Sequence, residues 1–246
     1  MTKEFTLTNF LLCHSFTISV SEMEVIMSVK GIEVKDPGSA ITHFIGSAGA
    51  ALLAIPLLTK ANHDIKSEMI SLSIFIFSMF LLYTASTLYH TFDISDKVNK
   101  ALKKFDHMSI YLLIAGTYTP ICVLVLDSRI GYLMLGIIWA MALLGICFTA
   151  FWVTCPKWLS ATIYIIMGWT CVMAFKPLIN SFCAPAFALL LGGGIIYTIG
   201  GIIYALKLPI FNNKHKNFGS HEIFHLFCLG GSLCHFILIY TYIAGV

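Results

Sequence analysis

Residues 130–151 read I-G-Y-L-M-L-G-I-I-W-A-M-A-L-L-G-I-C-F-T-A-F, twenty-two positions without one charged side chain. About 20 apolar residues in a helix cross the ~30 Å hydrocarbon core of a bilayer. This stretch therefore reads as a transmembrane helix. Similar runs fall near 39–59, 69–92, 105–126, 158–175, 183–206 and 220–244, separated by short polar or charged links. The expectation is an all-α polytopic membrane protein, a seven-transmembrane helix bundle over residues 38–246, behind an N-terminal segment of residues 1–37.

Composition points the same way. The 246 residues are 58% hydrophobic and 11% charged, whereas soluble domains run near 25% charged. A soluble fold of this composition would expose large apolar patches; lipid removes that problem. The net charge of +3 is small and scattered, so no nucleic-acid partner is expected. The eight cysteines form no C-x-x-C pair and lie mostly inside apolar runs, where a thiol packs as a small hydrophobe. Gly192, Gly193 and Gly194 suit close helix packing rather than a phosphate loop.

Orientation follows from Lys and Arg, which collect on the cytoplasmic side. With the N-terminus inside, the inner segments hold eleven of them, including Lys97, Lys100, Lys103, Lys104 and Lys157. The outer ones hold four: Lys60, Lys66, Arg129 and Lys176. This predicts a cytoplasmic N-terminus and an external C-terminus, the reverse of a G-protein-coupled receptor.

Ionisable groups inside spanning helices are costly and mark functional positions. In this topology His90 ends the second helix on the inner side, Asp106 lies near the inner start of the third, and His221 and His225 open the seventh. Three segments distant in sequence thus bring polar groups to one depth. His221 and His225, four residues apart, share a helix face and suit one zinc ion with His90 as third ligand. A catalytic zinc keeps a further position for water and lowers its pKa. Asp106 is placed as general base or orienting group, and Ser86, one turn before His90, as a supporting donor. His235 lies ten residues past His225, ~15 Å along a helix, too far to share that ion. His43 is a candidate for supporting the ligands, and His107 turns ~100° from Asp106 around the helix. Residues 221–225, H-E-I-F-H, also match the H-E-x-x-H of zinc proteases with Glu222 as base, but no Asp or Glu follows them to serve as the third ligand.

Three segments carry a resemblance: S-T-L-Y-H at 86–90, F-D-H-M-S-I-Y-L-L-I-A-G-T-Y-T-P at 105–120, and H-E-I-F-H-L-F-C-L-G-G-S-L-C-H-F at 221–236. Together with M-G-W at 167–169 and G-G-I-I-Y-T-I-G-G-I-I-Y-A at 193–205, they resemble the bacterial hemolysin III family, which belongs with the progestin and adiponectin-Q receptors. The likeness spans roughly residues 38–244. It implies a zinc ion near the cytoplasmic face held by His90, His221 and His225, with Asp106 beside the zinc-bound water and Ser86 one turn before the first histidine. It further implies hydrolysis of a lipid amide or ester, ceramidase-like, with membrane lipids as partners and a lipid ligand in the bundle cavity. A non-enzymatic lipid sensor or homeostasis factor, or a cytolysin, with a structural zinc is the alternative. The expected address is a bacterial inner membrane.

Overall fold

The computed structural model describes residues 34–206 and 218–245. They are built from α1 (Pro37–Lys60), α2 (Lys66–Thr91), α3 (Asp96–Leu124) and α4 (Ser128–Phe151). A fifth span follows in two pieces, α5 (Lys157–Gly168) and α6 (Phe175–Ser181), joined by a 3₁₀ segment, Trp169–Ala174. The chain ends with α7 (Ala184–Leu206) and α8 (Ser220–Tyr242). Seven spans are long and apolar enough to cross a membrane. The all-α seven-span bundle read from the sequence is therefore what forms. The segment before residue 34, with Lys3 and Lys30, and residues 207–217, with Lys207, Lys214 and Lys216, lie outside the described residues.

The apolar runs locate the spans because each must satisfy its backbone internally within lipid. One boundary moves. The apolar part of the third span begins at 105, yet α3 starts at Asp96, because Ser95 caps it by accepting the Val98 N–H at 3.4 Å. Lys97, Lys100, Lys103 and Lys104 therefore ride on helix rather than loop. Lys104 Nζ reaches the Ala150 carbonyl at the end of α4. Hydroxyls inside the spans mostly bond their own helix, as Ser109 to Phe105 O (2.7 Å), Thr117 to Leu113 O (2.8 Å) and Thr119 to Ala115 O (2.8 Å). That pattern keeps polar atoms satisfied without water.

The outward faces stay apolar. Leu52, Ile55, Leu133, Leu144 and Phe151 are exposed, an arrangement suited to lipid contact. Inside, small residues let helices approach. A Cβ on Gly46 would sit 2.7 Å from Leu229, and one on Gly231 would sit 2.6 Å from the Tyr197 ring. Gly193 behaves the same way beneath His235, whereas Gly192 faces open space. All seven cysteines among the described residues are free.

Consecutive helices α1 to α4 pack side by side, α5 lies against α7, and α8 packs against both α7 and α1. The last span thus returns to the first. At the far end from the histidines, buried Glu68 Oε1 accepts the Gly245 N–H at 2.6 Å and the Asn62 N–H at 3.2 Å, tying the end of the chain to α2.

Candidate metal centre

His90 is in the last turn of α2, and His221 and His225 lie in the first turns of α8. One ring nitrogen from each falls within 4.8 Å of the other two. The His221 and His90 Nε2 atoms are 3.2 Å apart. Two nitrogens bound to one tetrahedral zinc at 2.0–2.1 Å would be separated by about 3.3 Å, so this pair already has the spacing of a shared ion. His225 is fully buried, and its ring centroid is 4.5 Å from that of His221 and 5.2 Å from that of His90.

The hydrogen bonds behind these rings fix which nitrogen is free. Asp36 Oδ2 is 2.9 Å from His90 Nδ1. That hydrogen bond, the largest influence, holds the Asp36 carboxyl below the usual carboxylate range. An ionised carboxylate only accepts, so Nδ1–H donates to it and the Nε2 lone pair of His90 faces His221. Thr42 Oγ1 donates to backbone carbonyls of its own helix, Gly38 at 3.0 Å and Ser39 at 2.9 Å, and is 3.1 Å from His225 Nδ1. With its proton so used, Thr42 accepts from Nδ1–H and leaves Nε2 of His225 free. Partners of this kind orient ligating imidazoles and raise their basicity. The donor set, three imidazoles of which two have orienting partners, fits a zinc ion.

His43 adds packing. Its ring stacks on His225 with centroids 3.6 Å apart and planes 8° from parallel, and meets Tyr83 edge-on at 5.0 Å. Both His43 ring nitrogens are buried without a hydrogen-bond partner. His43 therefore backs the His225 ring, in line with the supporting role its sequence position suggested. Asp36 and Thr42 were not read from the sequence. Their signal is weak: a polar D-P-G-S-x-x-T-H string just ahead of and inside the first apolar run. Only the return of α8 to α1 makes it meaningful.

Asp106 and Ser86 are both buried and line the same ≈ 320 Å³ cavity as the three histidines. Asp106 is not among the clustered ligand atoms. His107, turned away by helical geometry, nevertheless lines that cavity, its Nδ1 3.5 Å from Asp106 Oδ2. The cavity is wide enough for both neighbours to reach it. Tyr204 OH lies 3.5 Å from His107 Nε2, and Tyr164 OH donates to the His107 carbonyl at 3.2 Å. His235 is remote from the cluster as expected, its Nε2 3.2 Å from Leu190 O. Glu222 is engaged elsewhere: Oε1 accepts from Ser39 Oγ at 2.5 Å and Oε2 from the Gly219 N–H at 2.8 Å. It caps α8 and ties it to α1, which leaves the protease reading of H-E-x-x-H without a free base.

A model of the family described as Haemolysin-III related matches residues 33–236. Hemolysin-3 of Bacillus cereus is 40% identical over 210 residues, covering 83% of this chain and 90% of that protein. The hemolysin-3 homolog of Bacillus subtilis (strain 168) is 40% identical over 213 residues, covering 85% and 94%. With seven spans and a buried histidine cluster at one end of the bundle, the chain belongs to the haemolysin III family of multi-pass bacterial integral membrane proteins.

Proposed function

We propose that this protein is a zinc-dependent hydrolase of lipid amides or esters, acting near the cytoplasmic face of the membrane. The observation that carries this reading is the separation of roles inside one cavity. Three imidazoles have their ring nitrogens mutually within 4.8 Å, while the buried carboxylate of Asp106 lines the same space without joining that cluster. A purely structural zinc is usually closed by four protein ligands. A cluster of three with an adjacent, uncommitted carboxylate supports a site with a position left open.

His90, His221 and His225 would hold the ion, with Asp36 and Thr42 keeping the ligating nitrogens presented. When bound, zinc supplies Lewis acidity toward a carbonyl and brings the pKa of water toward 7. Asp106 takes the proton from the attacking water and returns it to the leaving nitrogen or oxygen. His107 Nδ1 lies 3.5 Å from Asp106 Oδ2 and lines the same cavity. Ser86, on the same wall, is available to hydrogen-bond the reacting group. Lys103 and Lys157 also line the cavity and favour a substrate with a polar or anionic head.

The test is turnover of a panel of N-acyl and O-acyl lipids by the purified, zinc-loaded protein. The expected result is hydrolysis that falls by ~10²-fold or more in Asp106→Asn while zinc is retained. A zinc-loaded wild type that cleaves nothing in the panel would favour the alternative, a lipid sensor in which the metal joins α2 to α8.

A further inference from the structure

Three cavities follow one another through the bundle and narrow away from the histidines. Their volumes are ≈ 320, ≈ 130 and ≈ 50 Å³. The first and second share Ile110, Tyr164, Tyr204 and Phe224 as walls. The second and third meet at a neck made by Tyr118, Trp169, Gly194 and His235. The neck coincides with the break in the fifth span, where helix gives way to the 3₁₀ segment Trp169–Ala174.

Each ring of the neck is held by a hydrogen bond to a neighbouring element. Trp169 Nε1 donates to Thr198 Oγ1 on α7 at 2.9 Å. Tyr118 OH donates to the Gly168 carbonyl at 2.6 Å and accepts the Cys171 N–H at 2.7 Å. His235 Nε2, 3.2 Å from the Leu190 carbonyl, donates to it, since a carbonyl only accepts. Behind it the ring lies so close against Gly193 of α7 that a Cβ there would sit 2.5 Å from it. Apolar side chains alone would rearrange around a guest; these rings are tethered and form a stop.

Two helices give the depth of the stop. Along α3 the step from Asp106 to Thr117 is ~16 Å, and along α8 the step from His225 to His235 is ~15 Å, at 1.5 Å per residue. An extended hydrocarbon with ~1.5 Å carbon–carbon bonds advances ~1.25 Å per carbon. The neck therefore lies about 12–13 carbons from the histidine cluster. The third cavity continues beside Ile121 and Cys122, a further ~7 Å or about five carbons on the same scale.

We propose that Trp169, with Tyr118 and His235, is a chain-length ruler: it stops an acyl chain whose polar head lies at the histidine cluster at about 13 carbons. This rests on the lipid-hydrolase reading and adds the residue that sets its acyl specificity. Opening the neck joins the third cavity to the second and admits a longer chain.

The experiment is binding of saturated fatty acids of graded length, about 8 to 20 carbons, to full-length zinc-loaded protein in detergent, where each buried methylene tightens binding by about fourfold. Partition into micelles is common to all variants and cancels in their ratios. Wild type should gain affinity up to about 13 carbons and then level off. Trp169→Ala should go on gaining to about 18, where five further methylenes at about fourfold each make binding ~10³-fold tighter than in wild type. Ile114→Trp, which fills the second cavity short of the neck, should bring the break down to about 10 carbons. Chain-length dependence with the same break in wild type, Trp169→Ala and Ile114→Trp overturns the ruler and leaves the lipid reading standing. Absence of binding at every length overturns both.

Discussion

Asp36 acts on the centre only through His90, yet the 2.9 Å hydrogen bond between them decides which imidazole nitrogen is presented. Asp36→Asn should therefore weaken zinc affinity by roughly 10- to 100-fold, measured by competition with a chelator of known affinity. An affinity within twofold of wild type would show that His90 needs no such partner. The three clustered histidines were legible from the sequence because four-residue spacing and membrane depth are both written in it. Asp36 was not: it precedes the first apolar run, and nothing local ties it to a histidine 54 positions away. Thr42 was hidden similarly, since a threonine in a span most often bonds its own backbone, as this one also does. Glycines divide in the same way. Gly231 has the Tyr197 ring 2.6 Å from where a Cβ would lie, while Gly136 has nothing within 4 Å. Gly231→Ala should cost ~1–3 kcal/mol by overpacking and lower the unfolding temperature, with Gly136→Ala close to neutral. Equal effects would mean that the α7–α8 contact tolerates a methyl group.

The fifth span shows what hydropathy misses at the level of an element. Residues 158–175 read as one apolar run, but the helix gives way to a 3₁₀ segment at Trp169. The break is possible in lipid because another helix satisfies the freed backbone: Tyr118 of α3 serves both Gly168 O and Cys171 N through one hydroxyl. A partner that far away in sequence leaves no periodic trace. Tyr118→Phe should strand both groups, at a cost of ~1–3 kcal/mol each if nothing replaces them, and speed hydrogen exchange across Trp169–Ala174. Unchanged exchange there would mean that the turn holds itself. The start of α3 is the converse case. Its lysine-bearing first turns lack the apolar signal, yet Ser95 supplies a helix cap that the sequence does state.

In the whole molecule, the seven spans were readable because lipid contact makes even outward faces apolar, and the centre was readable in outline because three spans carry their ionisable groups at one end. The ring order, which brings α8 back to α1, was not readable, and with it went the hydrogen bonds that orient His90 and His225. Orientation remains a prediction from the lysines, and native cysteines can test it. Cys155 lies in the link between α4 and α5 and Cys183 in the link between α6 and α7, at opposite ends of the fifth span. In variants keeping one cysteine each, an impermeant maleimide added to intact cells should label Cys183 and spare Cys155. The opposite pattern would invert the topology and put the histidines outside. The central claim, a three-histidine zinc site with Asp106 beside it rather than on the metal, is tested most directly by elemental analysis of purified wild type, His225→Ala and Asp106→Ala. The account predicts about one zinc per chain in wild type and in Asp106→Ala, and loss in His225→Ala, as three protein ligands with an open position require. A wild type without zinc would contradict the metal centre itself, and loss of zinc in Asp106→Ala would make Asp106 a fourth ligand of a closed site.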